Sequence, residues 1–323
     1  MKVLFVSSGN SKTGISPFIK SQGESLKTSG IQLDFFTINK RGFKGYLRES
    51  MQLRKYLRLH EYEILHAHYG MSALAALIAR RKEKIVVSFM GDDIVGANKP
   101  NGSLTKASLL LARFNAFLAK KFYDYAIVKS EAMLTRLKIP NITLIPNGVD
   151  LVKFKPLKKI ESKIKLGIAP EEKLTIFVSD PSRVEKNFPL AQNAVKLLKN
   201  PELKLFPVFN QPNDSLPSYY NAADVLLLTS FHEGSPNVIK EAMACNCPIV
   251  STAVGDVKWV FGNTEGYFLS SFKVEEMAEK IKMALEFAII KDRTKGRERI
   301  LELGLDSETI ARKIVSVYKR VLK

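Results

Sequence analysis

The chain has 323 residues, 46% apolar and 25% charged, a globular composition that excludes disorder and suits about two domains. Its formal charge of +18 is unevenly spread: residues 1–160 hold 27 Lys/Arg against 11 Asp/Glu, and residues 161–323 hold 23 against 21. A basic first half points to phosphorylated, lipid or nucleic-acid partners, while two cysteines (Cys245 and Cys247) supply neither a disulfide framework nor a zinc site. They read as small buried apolar residues in a reducing cytoplasm.

Lys2–Ser7 reads as a buried strand bounded by Gly9 and Asn10, and its apolar stretch is too short for a secretory signal. No window reaches the ~18 uncharged apolar residues of a membrane span; Leu109–Ala119 comes nearest and is broken by Arg113 and Asn115. Ser16-Pro17 marks a helix start, Gly30 its stop, and Ile31–Ile38 a second strand. Further strands are expected at Ile64–His66, Ile85–Phe89, Tyr125–Val128 and Thr143–Ile145, with helices between them. Alternation of this kind predicts a parallel sheet covered on both faces.

The rhythm breaks over Pro146–Pro170, which is dense in proline, glycine and lysine and reads as a linker. A second series follows: strand Thr175–Val178, helix Leu190–Leu198, strand Leu203–Val208, helix Ser218–Ala223, strand Val225–Thr229, helix Pro236–Ala244 and strand Ile249–Ser251. In Glu308–Leu322, Ile310, Ile314, Val317, Tyr318 and Val321 share one helical face. The expected fold class is α/β, two doubly wound domains facing across a cleft. Domain one covers residues 1–155, with the helix at 308–323 packing back on it, and domain two covers 156–307.

Glu233–Glu241 (EGSPNVIKE) directly follows the strand Val225–Thr229. Ser235 is expected as N-cap and Pro236 at the first helical position, leaving free N–H groups that suit a phosphate. Two helical positions eight residues apart lie ~12 Å from each other. That is wide for a glycosidase pair, which spans roughly 5–9.5 Å, and better suited to opposite ends of one long ligand. A nucleoside diphosphate sugar has that shape.

These residues resemble glycosyltransferase family 4, of GT-B fold: E-x7-E, then Glu241-Ala242-Met243-Ala244-Cys245 and Pro248-Ile249-Val250-Ser251-Thr252. Ser182–Asn187 (SRVEKN), Tyr219–Asp224 (YYNAAD), Ile145–Asp150 (IPNGVD) with Phe154, Gly255-Asp256-Val257 and Gly266-Tyr267 follow in family order. The likeness runs through most of residues 125–323 and more loosely through 1–124. It implies that Arg183 and Lys186 neutralise the donor diphosphate, helping its departure. It implies further that Glu241 accepts hydrogen bonds from the ribose and Glu233 from the transferred sugar, while backbone around Gly234, Ser235, Pro236, Asn237 and Val238 holds phosphate or sugar oxygens. Anomeric configuration would be retained, with no metal ion and no cofactor beyond a donor that is UDP- or GDP-linked. Asp92-Asp93 is adjacent rather than spaced and reads as structural.

In the first domain Gly14 occupies the place of the family's glycine-rich loop near donor phosphate and acceptor. Ser88–Asp93 (SFMGDD) resembles a turn that usually reads Phe-His-Gly-x-Asp, but Met90 stands at the histidine, and a thioether cannot donate its hydrogen bond. His66 and His68 (LHAHYG) are expected nearby, on a different strand end from Met90. Lys40–Arg58 is basic and amphipathic and reads either as a helix for an anionic membrane surface or as a covering helix of the sheet, whereas Leu104–Phe122 reads as a covering helix. The expected activity is transfer of a sugar to a glycan, lipid-linked or phosphorylated acceptor, in the cytoplasm or at the inner membrane face, without nucleic acid. The alternatives are a non-catalytic anion-binding protein (for nucleic acid or lipid) on this scaffold, and a sugar-nucleotide epimerase.

Overall fold

A computed structural model describes residues 1–9, 14–97 and 103–323. They form two compact units, one of Met1–Ala97, Leu104–Gly148 and Ser307–Lys323, the other centred on Val149–Asp306. Unit one is built on β1 (Lys2–Ser8), β2 (Gln32–Ile38), β3 (Ile64–His68), β4 (Lys84–Ser88), β5 (Tyr125–Val128) and β6 (Ile142–Leu144). All pair in parallel, in the order β2-β1-β3-β4-β5-β6. Val3–Val6 and Ile85–Val87 are fully buried, as continuous apolar strands must be when helices cover both faces. The helices are α1 (Pro17–Thr28), α2 (Gly42–Leu59), α3 (Gly70–Ala79), α4 (Asp92–Val95), α5 (Lys106–Lys121) and α6 (Glu131–Leu137).

Unit two carries β7 (Lys173–Phe177), β8 (Leu203–Pro207), β9 (Val225–Leu228), β10 (Ile249–Thr252) and β11 (Tyr267–Ser270), again parallel, in the order β11-β10-β9-β7-β8. Its helices are α7 (Lys159–Lys165), α8 (Phe188–Leu197), α9 (Leu216–Ala222), α10 (Asn237–Ala244), α11 (Val257–Phe261), α12 (Val274–Lys291) and α13 (Gly296–Glu302). The chain then ends in α14 (Ser307–Val321), part of unit one, which packs against α1 through its apolar stripe of Ile310, Ile314, Val317 and Tyr318.

Three expectations change. The Pro146–Pro170 stretch is largely folded into unit two rather than a linker, because α7 turns Lys163 inward. Its ammonium donates to the carbonyls of Pro170 (2.9 Å) and Glu172 (2.6 Å), which satisfies the buried charge. Strand β3 runs two residues further than expected, so His68 pairs with Ser88 at the carboxyl end of β4, two residues before Met90. The two histidines therefore do not lie on a strand end apart from Met90. Helix α5 covers the sheet through a small face, Ala112, Asn115, Leu118 and Ala119, and leaves its larger apolar residues outside.

In both sheets the first strand of the unit lies between its second and third, so successive crossovers leave on opposite faces: β1 between β2 and β3, β7 between β8 and β9. Loops part at such a point and leave a crevice at the carboxyl ends of the strands, where open α/β sheets bind ligands.

Candidate functional site

In unit two the parting loops are those after β7 and β9. The first forms a short 3-10 turn at Val184–Lys186 and is fastened to the second by three bonds. The Thr229 hydroxyl donates to the carbonyls of Lys186 (2.9 Å) and Asn187 (3.0 Å), and the Phe231 N–H donates to the Glu185 carbonyl (2.9 Å). This brings the Lys186 ammonium to 2.5 Å from Glu233 Oε1, to which the Ser230 hydroxyl also donates, at 2.8 Å. Both ionic side chains are about 15% exposed, so the pair is held in place yet open to a ligand. Arg183 starts the same turn, but its guanidinium lies on Glu185 and is half exposed. Lys186 is the positioned cation of the two.

The loop after β9 leads into α10, which begins one residue later than expected. Pro236 takes the cap position, and Ser235 does not cap the helix but turns inward. The Ser235 hydroxyl donates to Asp256 Oδ2 (2.7 Å), and the fully buried Lys240 ammonium donates to Ser235 Oγ (2.6 Å) and to Asp256 Oδ2 (2.8 Å). Gly255 allows this closeness, since a Cβ there would stand 2.6 Å from the Gly234 carbonyl and its φ is +57°. The ion pair thus pins the Gly234-Ser235-Pro236 turn from beneath. The first N–H groups of α10, at Asn237 and Val238, have no acceptor within the helix. Asn237 Oδ1 is buried and makes no hydrogen bond. A rigid turn therefore offers an unsatisfied helix N-terminus, with Lys186 and Glu233 on the loops that lead to it.

Glu241 lies one turn further along α10, where its Oε2 accepts from the buried Tyr220 hydroxyl at 2.6 Å. Burial pushes its carboxyl above the usual range, while the Tyr220 bond and the Lys153 charge pull it back. Tyr220 is in turn packed edge-on by Phe154, 5.9 Å away. Glu233 and Glu241 engage different partners, Lys186 and Tyr220. Both cysteines are buried and free, and burial raises the Cys247 thiol to about 12.

Sequence reasoning assigned no role to Lys240, Asp256, Ser230 or Tyr220. The glycine before Asp256, three residues past β10, was the one local signal for that aspartate, and the period of α10 gave none for a buried lysine.

In unit one, Gly14 has φ +76° with open space where a Cβ would stand, and residues 10–13 of its loop lie outside the described residues. His66 is fully buried, with Nδ1 against the Tyr318 hydroxyl of α14 (2.5 Å) and Nε2 against Ser88 Oγ (2.8 Å). His68 stacks on it, 4.6 Å between centroids, and both its ring nitrogens are buried without a hydrogen-bond partner. Burial, reinforced by the nearby Lys129 charge, lowers His66 to about 3 and His68 well below its usual value. Asp93 has a structural role: it accepts from the N–H groups of Met90 (3.0 Å), Gly91 (3.0 Å) and Gly70 (3.2 Å). No group of three or more His, Cys, Asp or Glu able to hold a metal occurs among the described residues, and no helix there is long and apolar enough to cross a membrane.

Two family models match the chain: Glycosyltransferase Family 4 over residues 24–153, and Glycosyl transferases group 1 over residues 191–286. The teichuronic acid biosynthesis glycosyltransferase TuaC of Bacillus subtilis is 25% identical over 240 residues, 68% of this chain and 60% of that protein. The chain spans 47–61% of the length of the curated relatives it matches. Among solved structures, sucrose-phosphate synthase from Thermosynechococcus elongatus superposes with a TM-score of 0.83 at 18% identity, covering 99% of each chain. HepE from Anabaena, in complex with UDP and glucose, gives 0.73 at 19%, covering 99% of this chain and all of that one.

Proposed function

From the premise that the chain belongs to glycosyltransferase family 4 and has the GT-B fold, we propose that it is a retaining, metal-independent transferase moving a sugar from a nucleotide diphosphate. The observation that carries this reading is the pinned turn before α10, whose unsatisfied N–H groups adjoin the loops bearing Lys186 and Glu233. A diphosphate seated there meets a helix N-terminus and a fixed ammonium, and Arg183 leaves Glu185 to add a second cation. Charge grows on the leaving diphosphate as the glycosidic bond breaks, so these groups stabilise the transition state more than the bound donor. They take the part a divalent ion would otherwise play.

Glu241, held by Tyr220, orients its carboxylate toward the ribose hydroxyls. Glu233 exchanges part of its contact with Lys186 for hydroxyls of the transferred sugar. UDP is the favoured nucleotide, in keeping with the UDP bound to HepE, and GDP the second choice. The acceptor is a glycan, lipid-linked or phosphorylated molecule, since unit one holds 27 Lys/Arg against 11 Asp/Glu and attracts anions. A lipid-linked acceptor places the work at the cytoplasmic face of a membrane. Neither the anion-binding nor the epimerase alternative is favoured by the relatives, which are transferases and synthases. Transfer from radiolabelled UDP- and GDP-sugars, with and without EDTA, tests the reading. Activity that is lost on chelation and restored by magnesium overturns the metal-independent part.

A further inference from the structure

Helix α5 of unit one is inside out. Its buried side consists of Ala112, Asn115, Leu118 and Ala119, and the Asn115 amide donates to the Asp93 carbonyl at 2.8 Å. Its solvent side presents Leu110 (69% exposed), Phe114 (41%) and Phe117 (52%), three positions that fall within about 60° of one another at 100° per residue. Phe122, just past the helix end, extends the stripe and packs edge-on against Phe117, 6.1 Å away. A helix that only covered a sheet would place these residues inward, where burying each would contribute stability. The same side carries Lys106, Arg113, Lys120 and Lys121, all exposed, and the helix has no acidic residue.

The pattern continues beyond α5. Helix α3 packs against both α2 and α5, so all three cover one face of the sheet. Helix α2 presents Leu47 and Met51 among Lys44, Arg48, Lys55 and Arg58, all of them exposed. Exposed apolar residues with cations beside them suit a bilayer surface, which offers acyl chains beneath anionic headgroups.

We propose that α5 is the element by which this protein enters an anionic lipid bilayer, with Leu110, Phe114 and Phe117 below the headgroups and its four cations among them. Helix α2 adds charge at the surface. The proposal rests on the transferase reading only for its setting at a membrane; the helix itself carries it.

The test is sedimentation with vesicles of phosphatidylcholine alone and of phosphatidylcholine with phosphatidylglycerol, at low and high salt. The wild-type chain should bind the anionic vesicles at low salt and lose them at high salt. Replacing Leu110, Phe114 and Phe117 by Ser should reduce partitioning at least about tenfold, and each of Lys120→Gln and Lys121→Gln about fivefold. These side chains point outward, so the thermal midpoint and UDP binding should stay as in the wild type. Phe114→Trp in a Trp259→Phe background reports insertion directly. Its emission should shift to the blue on anionic vesicles and be quenched by lipids brominated along the chain. Unshifted emission, or a triple variant that sediments like the wild type, overturns the proposal. A wild-type dimer in light scattering that the triple variant turns to monomer also overturns it, in favour of a second copy of the chain. Calorimetry with UDP and GDP keeps the two ideas apart: absence of nucleotide binding sinks the transferase reading and leaves the vesicle result standing.

Discussion

The carboxyl edges of the two sheets share a topology and differ in how their polar groups are kept. In unit two the charges are paired and pinned: Lys186 with Glu233, Lys240 with Asp256, Glu241 against Tyr220. In unit one, burial holds His66 and His68 neutral, and His68 has no hydrogen-bond partner at either nitrogen. The same parallel scaffold therefore makes one edge whose charges are paired side chain to side chain, and one whose histidines stay neutral beside the buried Lys129. On the proposed reading the first suits a diphosphate, because the protein dipoles need not reorganise when charge develops.

The sharpest way to break this contrast is at Lys240 and Asp256. Lys240→Met leaves a buried carboxylate unpaired and should cost about 3–5 kcal/mol of stability. Adding Asp256→Leu should recover most of that loss in urea unfolding. Equal stability of wild type and Lys240→Met would show that the pair does not pin the turn.

Next in size is Lys186→Ala, expected to lower turnover at saturating donor by a factor of about 10²–10³. Arg183→Ala should do less, since its guanidinium is half exposed and paired with Glu185. A larger loss at Arg183 would reverse the roles assigned to the two cations.

The neutral edge predicts an acid response. With His66 near 3 in the folded chain and ~6.5 unfolded, the unfolded state binds more protons between those values. Its stabilisation is complete above pH ~6.5 and falls with pH down to about 3. Between pH 7 and pH 5 His66 alone should remove about 2 kcal/mol. His68→Phe should lessen the acid loss measured by urea midpoints, and a slope unchanged by it would remove His68 from this account. The smallest effect is expected at Glu241→Ala, about a tenfold weaker UDP affinity at ~1.4 kcal/mol, while Glu233→Ala should act mainly on turnover. Equal effects of both on UDP affinity would contradict the two-ended site.

Much of the fold was legible because parallel strands buried on both faces announce themselves as short apolar runs. The turn before α10 was legible because proline at a helix start and two glutamates are local signals. What escaped depends on contacts distant in sequence. Ser235 looked like a cap because nothing local shows Asp256 beneath it, 21 residues on. Tyr220 stood in a motif without a role until α9 and α10 were set side by side. Pro146–Pro170 reads as a linker because it is dense in proline, glycine and lysine, yet Lys163 finds two carbonyls inside. Helix α5 covers the sheet as expected, but through small residues, with Leu110, Phe114 and Phe117 outside.

Calorimetric titration of UDP and GDP into the wild-type chain and into Lys186→Ala bears most directly on the central claim. Saturable binding of one nucleoside diphosphate, in the presence of EDTA and weakened at least about tenfold by the substitution, is the predicted result. No binding of either nucleotide, or affinity indifferent to Lys186, would contradict the claim that the edge of unit two is built for a diphosphate.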